Sequence, residues 1–421
     1  STSRGLGDVY KRQFLYLGKK QQGKEGDFPL DTQKEALWHL IDEQKGVLIS
    51  TADDIYDHPE WEGKEVHAAS LLTGLLKEMG FAVELGVGGL PTAFRARYQH
   101  EEGGPSIGLL CEYDALKDFG HGCGHHLQGP AVIGAAHALK EILTDRPYQL
   151  VIYGTPAEES FGGKINMLEA GLFQDIDVAL MMHGGPYTQT DVKSLALSEI
   201  LATFHGKSSH AAIAPHKGRS ALDALLLAFN GIEYLREHVP DDVRMHYTIE
   251  TLPGPNNIVP DTAVGSFCLR SYSREALDEV VSRVRDILKG AALMAGVTVT
   301  MVDRPSFDDK LPAPTLNAVI MENAKACGAP GIAPPREKTG STDFGNVLHR
   351  MPGACARIKF VPEGAAAHSQ EYLDHGKDDM GHAAILYGAK ILAGTAYDLI
   401  CGKDLMDRIK EDFQKELTKR Q

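Results

Sequence analysis

The sequence predicts an α/β chain built on a mostly parallel sheet, with a smaller unit inserted. Two observations carry this. Between residues 106 and 185, three apolar strand-like runs alternate with helical segments, the pattern of strands joined by crossover helices. After about residue 193 the order changes to β-α-β-β-α-β, over a stretch long enough to fold by itself.

Taken in order, residues 34–48 (KEALWHLIDEQKGVL) and 64–80 (KEVHAASLLTGLLKEMG) carry apolar residues at helical spacing, and Gly80 stops the second. FAVELGV and PTAFRARYQ read as short strands. SIGLLCEYDAL at 106–116 is a continuous apolar strand ending in acidic residues, followed by the glycine-rich loop KDFGHGCGHH. Residues 129–143 form a small-residue helix suited to packing on a sheet. QLVIYGTP at 149–156 runs into Glu158-Glu159, 162–173 reads as a helix, and DVALMMHGG at 177–185 ends at His183. The inserted unit follows: strand SLALSEILATFHG, helix RSALDALLLAFNGIEYLREH, strands VRMHYTIET and TAVGSFCLRS, helix REALDEVVSRVRDILKGAALMAG and strand VTVTMVDR. This is the ferredoxin-like order. DKLPAPTLNA marks the return to the first unit, with helices at 314–328 and 378–396 and a charged tail helix expected to lie on the surface. The domain division is therefore 30–192, 193–308 and 309–421.

A formal net charge of −14, with no basic stripe, argues against a nucleic-acid partner. An apolar content of 43% is enough for true cores. The six scattered cysteines (111, 123, 268, 327, 355, 401) fit a reduced, cytoplasmic setting better than a disulfide framework. No uninterrupted apolar run reaches membrane-helix length, and the N-terminal STSRGLGDVYKRQFLYLGKK lacks the form of an export signal, so a soluble chain is expected.

In parallel sheets ligands collect beyond the carboxyl ends of the strands. Here three successive strands deliver chemistry to that edge. Cys123 and His125 are strong ligands for borderline-soft ions, and Gly122 and Gly124 let the backbone turn tightly around them. Taken alone, C-x-H is as readily a buried cysteine beside surface histidines. Glu158 and Glu159 repel each other unless cations or protons intervene. A division of labour puts Glu159 on a metal and leaves Glu158 as general base. His183 closes its strand as a third donor. Asp114 could anchor a ligand histidine. His210 could donate to an oxyanion, and Asn256 or Asn257 could hold a polar group of the substrate, although a plain turn before Pro260 explains them equally. No Walker A sequence and no G-x-S-x-G elbow competes.

DHPEWEGKEVHAA, EYDAL, GCGHH, GTPAEES, MMHGG, GKSSHAAIAPHKGRSALDA, NNIVPD, TGSTDFGN and AAAHSQEY together resemble the M20 metallopeptidase family. In particular they resemble its amidohydrolase branch, subfamily D, near the aminobenzoyl-glutamate hydrolases and relaxed dipeptidases. The resemblance implies a hydrolase with two divalent ions, zinc or manganese. It implies Cys123, His125, Glu159, His183 and His368 as ligands, Glu158 as general base, and an inserted lid that forms a homodimer and brings in His210, from its own chain or its partner's. The implied substrate is a small N-acyl or N-aminoacyl amino acid, with a true dipeptidase or an inactive binding protein as alternatives. Arg219 and Arg270 are candidates for its carboxylate. Two departures stand out. His126 replaces the family's usual aspartate, with an outer hydrogen-bonding role as one consequence, and Glu112 replaces the first carboxylate of D-x-D.

Overall fold

The computed structural model describes residues 30–251, 254–337, 339–402 and 404–420. The N-terminal stretch judged above for an export signal lies outside them. Chain order gives strands β1 (Ala82–Leu85), β2 (Phe94–His100), β3 (Ser106–Cys111), β4 (Tyr148–Gly154), β5 (Val178–Gly185), β6 (Gln189–Thr190), β7 (Ala196–His205), β8 (Arg244–Ile249), β9 (Thr262–Ser271), β10 (Thr298–Asp303) and β11 (Gly353–Lys359).

The larger sheet is ordered β1-β2-β4-β3-β5-β11-β6. It is parallel only at its centre. β4, β3, β5 and β11 run the same way, whereas β1, β2 and β6 join antiparallel. The expectation of a mostly parallel sheet is corrected to that extent. The reason is connection length, because the link between β1 and β2 is too short for a parallel crossover. The centre is the part that matters for chemistry, since it aligns the carboxyl ends of β3, β4 and β5.

Helices cover both faces, as strands buried on both sides require. Helices Leu30–Glu43, Gln128–Ile142 and Asp379–Cys401 bury Leu37, Ile41, Val132, Ile133 and Leu392 on one face. Met167, Phe173, Phe344 and Val347 fill the other. By length and composition alone, Asp379–Cys401 is apolar enough to cross a membrane, although charged residues interrupt its apolar run. In the fold it is a core helix, with Ile385, Ala389 and Ala393 completely buried.

Two local expectations change. The single helix at 34–48 is two helices, Leu30–Glu43 and Lys45–Asp57, meeting at Gln44. The Gln44 side chain is buried and donates back to the Leu40 carbonyl at 3.1 Å. The tail helix Leu405–Thr418 is also more firmly held than a solvated element. It buries Ile409, and beyond its end Arg420 reaches the buried Asp309 at 2.7 Å.

The smaller sheet is antiparallel throughout, ordered β10-β7-β9-β8. β7 alternates buried and partly exposed residues along most of its length, so one face is committed to a core. Helices Ala221–Leu235 and Arg274–Ala295 cover that face and bury Leu225, Ile232, Val284 and Leu288 against Phe204 and Phe267. Each helix starts on a serine cap: Ser220 accepts from the Asp223 N–H and Ser273 from the Ala276 N–H.

Candidate metal centre and active site

β3 leaves the sheet at Cys111 and enters Glu112-Tyr113-Asp114, all buried. The chain then loops back through Cys123-Gly124-His125. Gly124 has φ +79°, and a Cβ there would meet the Phe360 ring at 3.0 Å. Only glycine turns here without strain. His125 is thereby fully buried with its Nδ1 3.1 Å from Asp114 Oδ1. Its Nε2 is buried without a hydrogen-bond partner, 3.3 Å from Glu112 and 3.9 Å from Glu159.

β4 ends before Ala157, whose φ of +62° lies in the left-handed region. That twist delivers Glu158 and Glu159, and the Glu159 N–H donates to Asp114 Oδ2 at 2.9 Å. From β5, His183 places Nε2 3.5 Å from Cys123 Sγ, while its Nδ1 lies 2.8 Å from the Gly184 carbonyl. His368 arrives on the segment after β11. Its N–H donates to the Gly122 carbonyl at 3.0 Å, and its Nε2 lies 3.1 Å from Glu159 Oε1. It too has a left-handed φ of +62°. Two non-glycine residues held at unfavourable backbone angles in one site are a mark of imposed geometry.

Ligand-capable atoms gather in three overlapping triples, each within 4.8 Å: Cys123, His125 and His183; Cys123, Glu159 and His368; and His125, Glu158 and Glu159. The five proposed ligands are therefore together, and Cys123 belongs to two triples. A sulfur, three imidazoles and a carboxylate suit borderline divalent ions. The unpartnered His125 Nε2 is the kind of buried acceptor such an ion would satisfy. The chain thus carries a candidate dinuclear metal site.

The electrostatics fit. Burial pushes the Cys123 thiol well above its ordinary range, a cost that a cation would reverse. Burial, then Arg357 and His125, hold His183 well below an ordinary histidine and keep it neutral. Burial opposes charge on Glu159, but His368 and His125 outweigh it and lower its pKa. Glu158 is raised well above a free carboxyl, first by burial and then by Glu112, Glu159 and Asp343. The two adjacent glutamates are thus pushed apart in acidity.

Other expected residues lie elsewhere. His126 is buried, donates from Nε2 to the Gly376 carbonyl (2.9 Å) and packs edge-on against Tyr56, and no described hydrogen bond ties it to the cluster. His210 is exposed on the smaller unit, its Nδ1 3.3 Å from the Ala212 and Ile213 N–H groups. Asn256 and Asn257 are exposed beside it, the Asn257 carbonyl accepting from the Ala211 N–H. Arg219 donates its guanidinium hydrogens to the carbonyls of His216 and Gly218. Arg270 reaches Ser341 at 3.3 Å. The cleft beside the cluster, about 220 Å³, is lined by Cys123, Glu158, Glu159, His183 and His368 among others. Among the described residues, none between 193 and 308 lines it. His210, Asn256, Asn257 and Arg219 therefore do not meet the cluster within one chain, because the inserted unit carries them on its own loops.

Sequence reading missed a buried network beneath the site. Lys164 is wholly enclosed, with Nζ 2.6 Å from Glu112 and 2.7 Å from Asp343. Gln128 donates to the other Glu112 oxygen at 2.8 Å. The only signal was a lysine among small and apolar residues just after Glu158-Glu159.

A family model described as peptidase family M20/M25/M40 matches residues 108–398. The chain is 33% identical over 416 residues to the Xaa-Arg dipeptidase of Homo sapiens, covering 94% of this chain and 95% of that one. It is 30% identical over 439 residues to a component of the p-aminobenzoyl-glutamate hydrolase of Escherichia coli (strain K12), covering 86% and 91%. Its fold resembles that of the Bacillus subtilis YXEP protein, described as a dinuclear metal binding peptidase from the M20 family, with TM-score 0.66, 20% identity, and 85% and 98% coverage.

Proposed function

The chain belongs to peptidase family M20/M25/M40, and from that premise we propose that it hydrolyses the amide bond of N-acyl or N-aminoacyl amino acids with Glu158 as general base. At the coarser level it is a metal-dependent hydrolase of the M20 type acting on small acylated or dipeptide substrates. The observation that carries the finer reading is the convergence of Cys123, His125, Glu159, His183 and His368 beside a glutamate whose acidity is depressed.

In this reading those five residues hold two divalent ions, zinc or manganese. When bound, the ions supply Lewis-acid polarisation of the carbonyl and make water acidic. Asp114 orients His125. Glu158 takes the proton that the attacking water gives up and returns it to the departing nitrogen. The cleft walls hold the substrate against Glu158 and limit access of bulk water.

The chain is read as a cytoplasmic homodimer of the subfamily D type, with residues 193–308 as a ferredoxin-like lid and dimerisation domain between 30–192 and 309–421. Leu226, Tyr234, Leu293 and Met294 support this, being exposed large apolar residues on the lid helices. In a dimer, His210 with Asn256 and Asn257 would serve the partner's site. The names of the relatives support both acyl and dipeptide substrates. A hydrolysis screen on metal-supplemented protein, comparing N-acyl amino acids with free-amine dipeptides, tests the proposal. Turnover of acylated substrates is expected. Turnover of free-amine dipeptides alone would make the enzyme a dipeptidase, and turnover of neither would overturn the reading.

A further inference from the structure

A second group of metal-ligating side chains lies outside the cleft, where helix Lys45–Asp57 ends and helix Val66–Glu78 begins. Asp54 sits in the last turn of the first helix, His58 caps that helix, and His67 stands in the first turn of the second. Asp54 Oδ1 is 2.9 Å from His58 Nδ1 and 3.0 Å from His67 Nε2, and one ligand atom from each residue falls within 4.8 Å of the other two. The two rings pack with centroids 4.4 Å apart. None of the three residues lines the cleft.

Two further observations point to a cation. The carboxyl end of a helix carries partial negative charge, so acidic residues there are unfavourable. Helix Lys45–Asp57 nevertheless places Asp53, Asp54 and Asp57 near that end, with no basic residue in its last turn. Lys377 pairs with Asp57, and His382 with Asp53. Among the described residues Asp54 has no lysine or arginine partner, only the two histidines. The second observation is His58 Nδ1, which faces the Asp54 carbonyl oxygen at 2.8 Å as well as Oδ1 at 2.9 Å. That nitrogen carries at most one hydrogen, so the two contacts must share it. A cation between the nitrogen and the oxygens satisfies all three atoms.

We propose that Asp54, His58 and His67 form a third divalent-ion site, separate from the dinuclear centre, that clips the two helices together. Two imidazoles and a carboxylate suit zinc or another borderline ion, whereas magnesium and calcium prefer oxygen shells. Around a tetrahedral zinc the donors stand about 3.3 Å apart, so the group needs only slight adjustment. Side-chain exposures of 57% for His58 and 41% for His67 leave room for water to complete the shell. The clip spans residues 58–65, and that loop supports the active site. The Glu60 carbonyl accepts the Ala115 N–H at 2.7 Å, next to Asp114, while the Glu60 carboxylate accepts the His67 N–H at 2.9 Å and the Ala68 N–H at 3.1 Å. An ion here steadies the loop beside the residue that orients His125.

The test uses the full chain with its dinuclear centre loaded, dialysed to equilibrium against dilute zinc, and counts metal by atomic emission. The wild type should hold one zinc per chain more than His58→Gln/His67→Gln, and one more than Asp54→Asn. Binding of that zinc should raise the wild-type melting temperature by about 2–4 °C, with no such rise in either variant and none when magnesium replaces zinc. Melting before zinc is added shows that each variant is folded, and Asp54→Asn, which keeps the side-chain size, carries the test if the double variant is not. Equal zinc content in the wild type and a folded variant would overturn the site. So would an equal melting rise in both, and an equal rise with magnesium would overturn the choice of a borderline ion. No substrate is used, so this result is read separately from the hydrolysis screen.

Discussion

Asp114 and His125 are locked together: Nδ1 lies 3.1 Å from Oδ1, while the second carboxylate oxygen accepts the Glu159 N–H at 2.9 Å. One buried aspartate thus sets the direction of two candidate ligands from different strands. Asp114→Asn preserves shape but weakens both bonds. Metal affinity should fall about 10- to 100-fold, as measured by competition with a chromophoric chelator. Unchanged affinity would remove Asp114 from the orienting role.

In the proposed mechanism Glu158 is the general base and not a metal ligand, although it lies with His125 and Glu159 in one group of ligand-capable atoms. Glu158→Gln keeps the size and loses the proton-accepting oxygen. Turnover should drop about 10²- to 10⁴-fold with metal content nearly unchanged. A rate like that of the wild type would defeat the assignment of the base.

Lys164 joins Glu112 and Asp343 in a volume with no access to water. Removing one partner of such a network strands the others as buried charges. Lys164→Met should destabilise the protein by about 3–5 kcal/mol, measured by urea unfolding. Adding Glu112→Gln should recover part of that loss, because one stranded charge is then gone. A double variant no more stable than the single one would show that packing, not charge, dominates.

The Asp309–His349–Arg420 contact predicts a pH dependence. Burial disfavours charge on His349, but Asp309 outweighs it and raises the pKa above 6.5. Its stabilisation is therefore complete below 6.5 and lost as pH rises through the raised value. Burial likewise opposes charge on Asp309, but His349 and Arg420 lower its pKa below 3.8, so that contribution is present above 3.8 and lost as pH falls through the depressed value. Unfolding free energy measured between about pH 6 and pH 9 should decline more in the wild type than in His349→Gln. Parallel curves would refute the linkage.

Much of the site was legible because each strand ends where its apolar run ends. Cys123-x-His125, Glu158-Glu159 and His183 follow three such runs, and period and polarity alone place them at one edge. The β-α-β-β-α-β order of the inserted unit was legible for the same reason, since its strands and helices alternate between clear periods. His368 was not legible from spacing. Its place depends on β11 pairing with β5 and on a backbone twist at the residue itself, and only its motif suggested it.

What the sequence determined by itself was local: which segments are strands or helices, and which donors stand at their ends. Side-chain periodicity is a property of neighbouring residues. What only the tertiary structure decided was which distant charges share one enclosure. Lys164 meets Asp343 across 179 positions, and Arg357 meets Asp191 across 166. The same long-range order leaves His210 and Arg219 on the inserted unit, away from the cleft. Coulomb energy depends on distance through space and on burial, and neither can be read from separation along the chain.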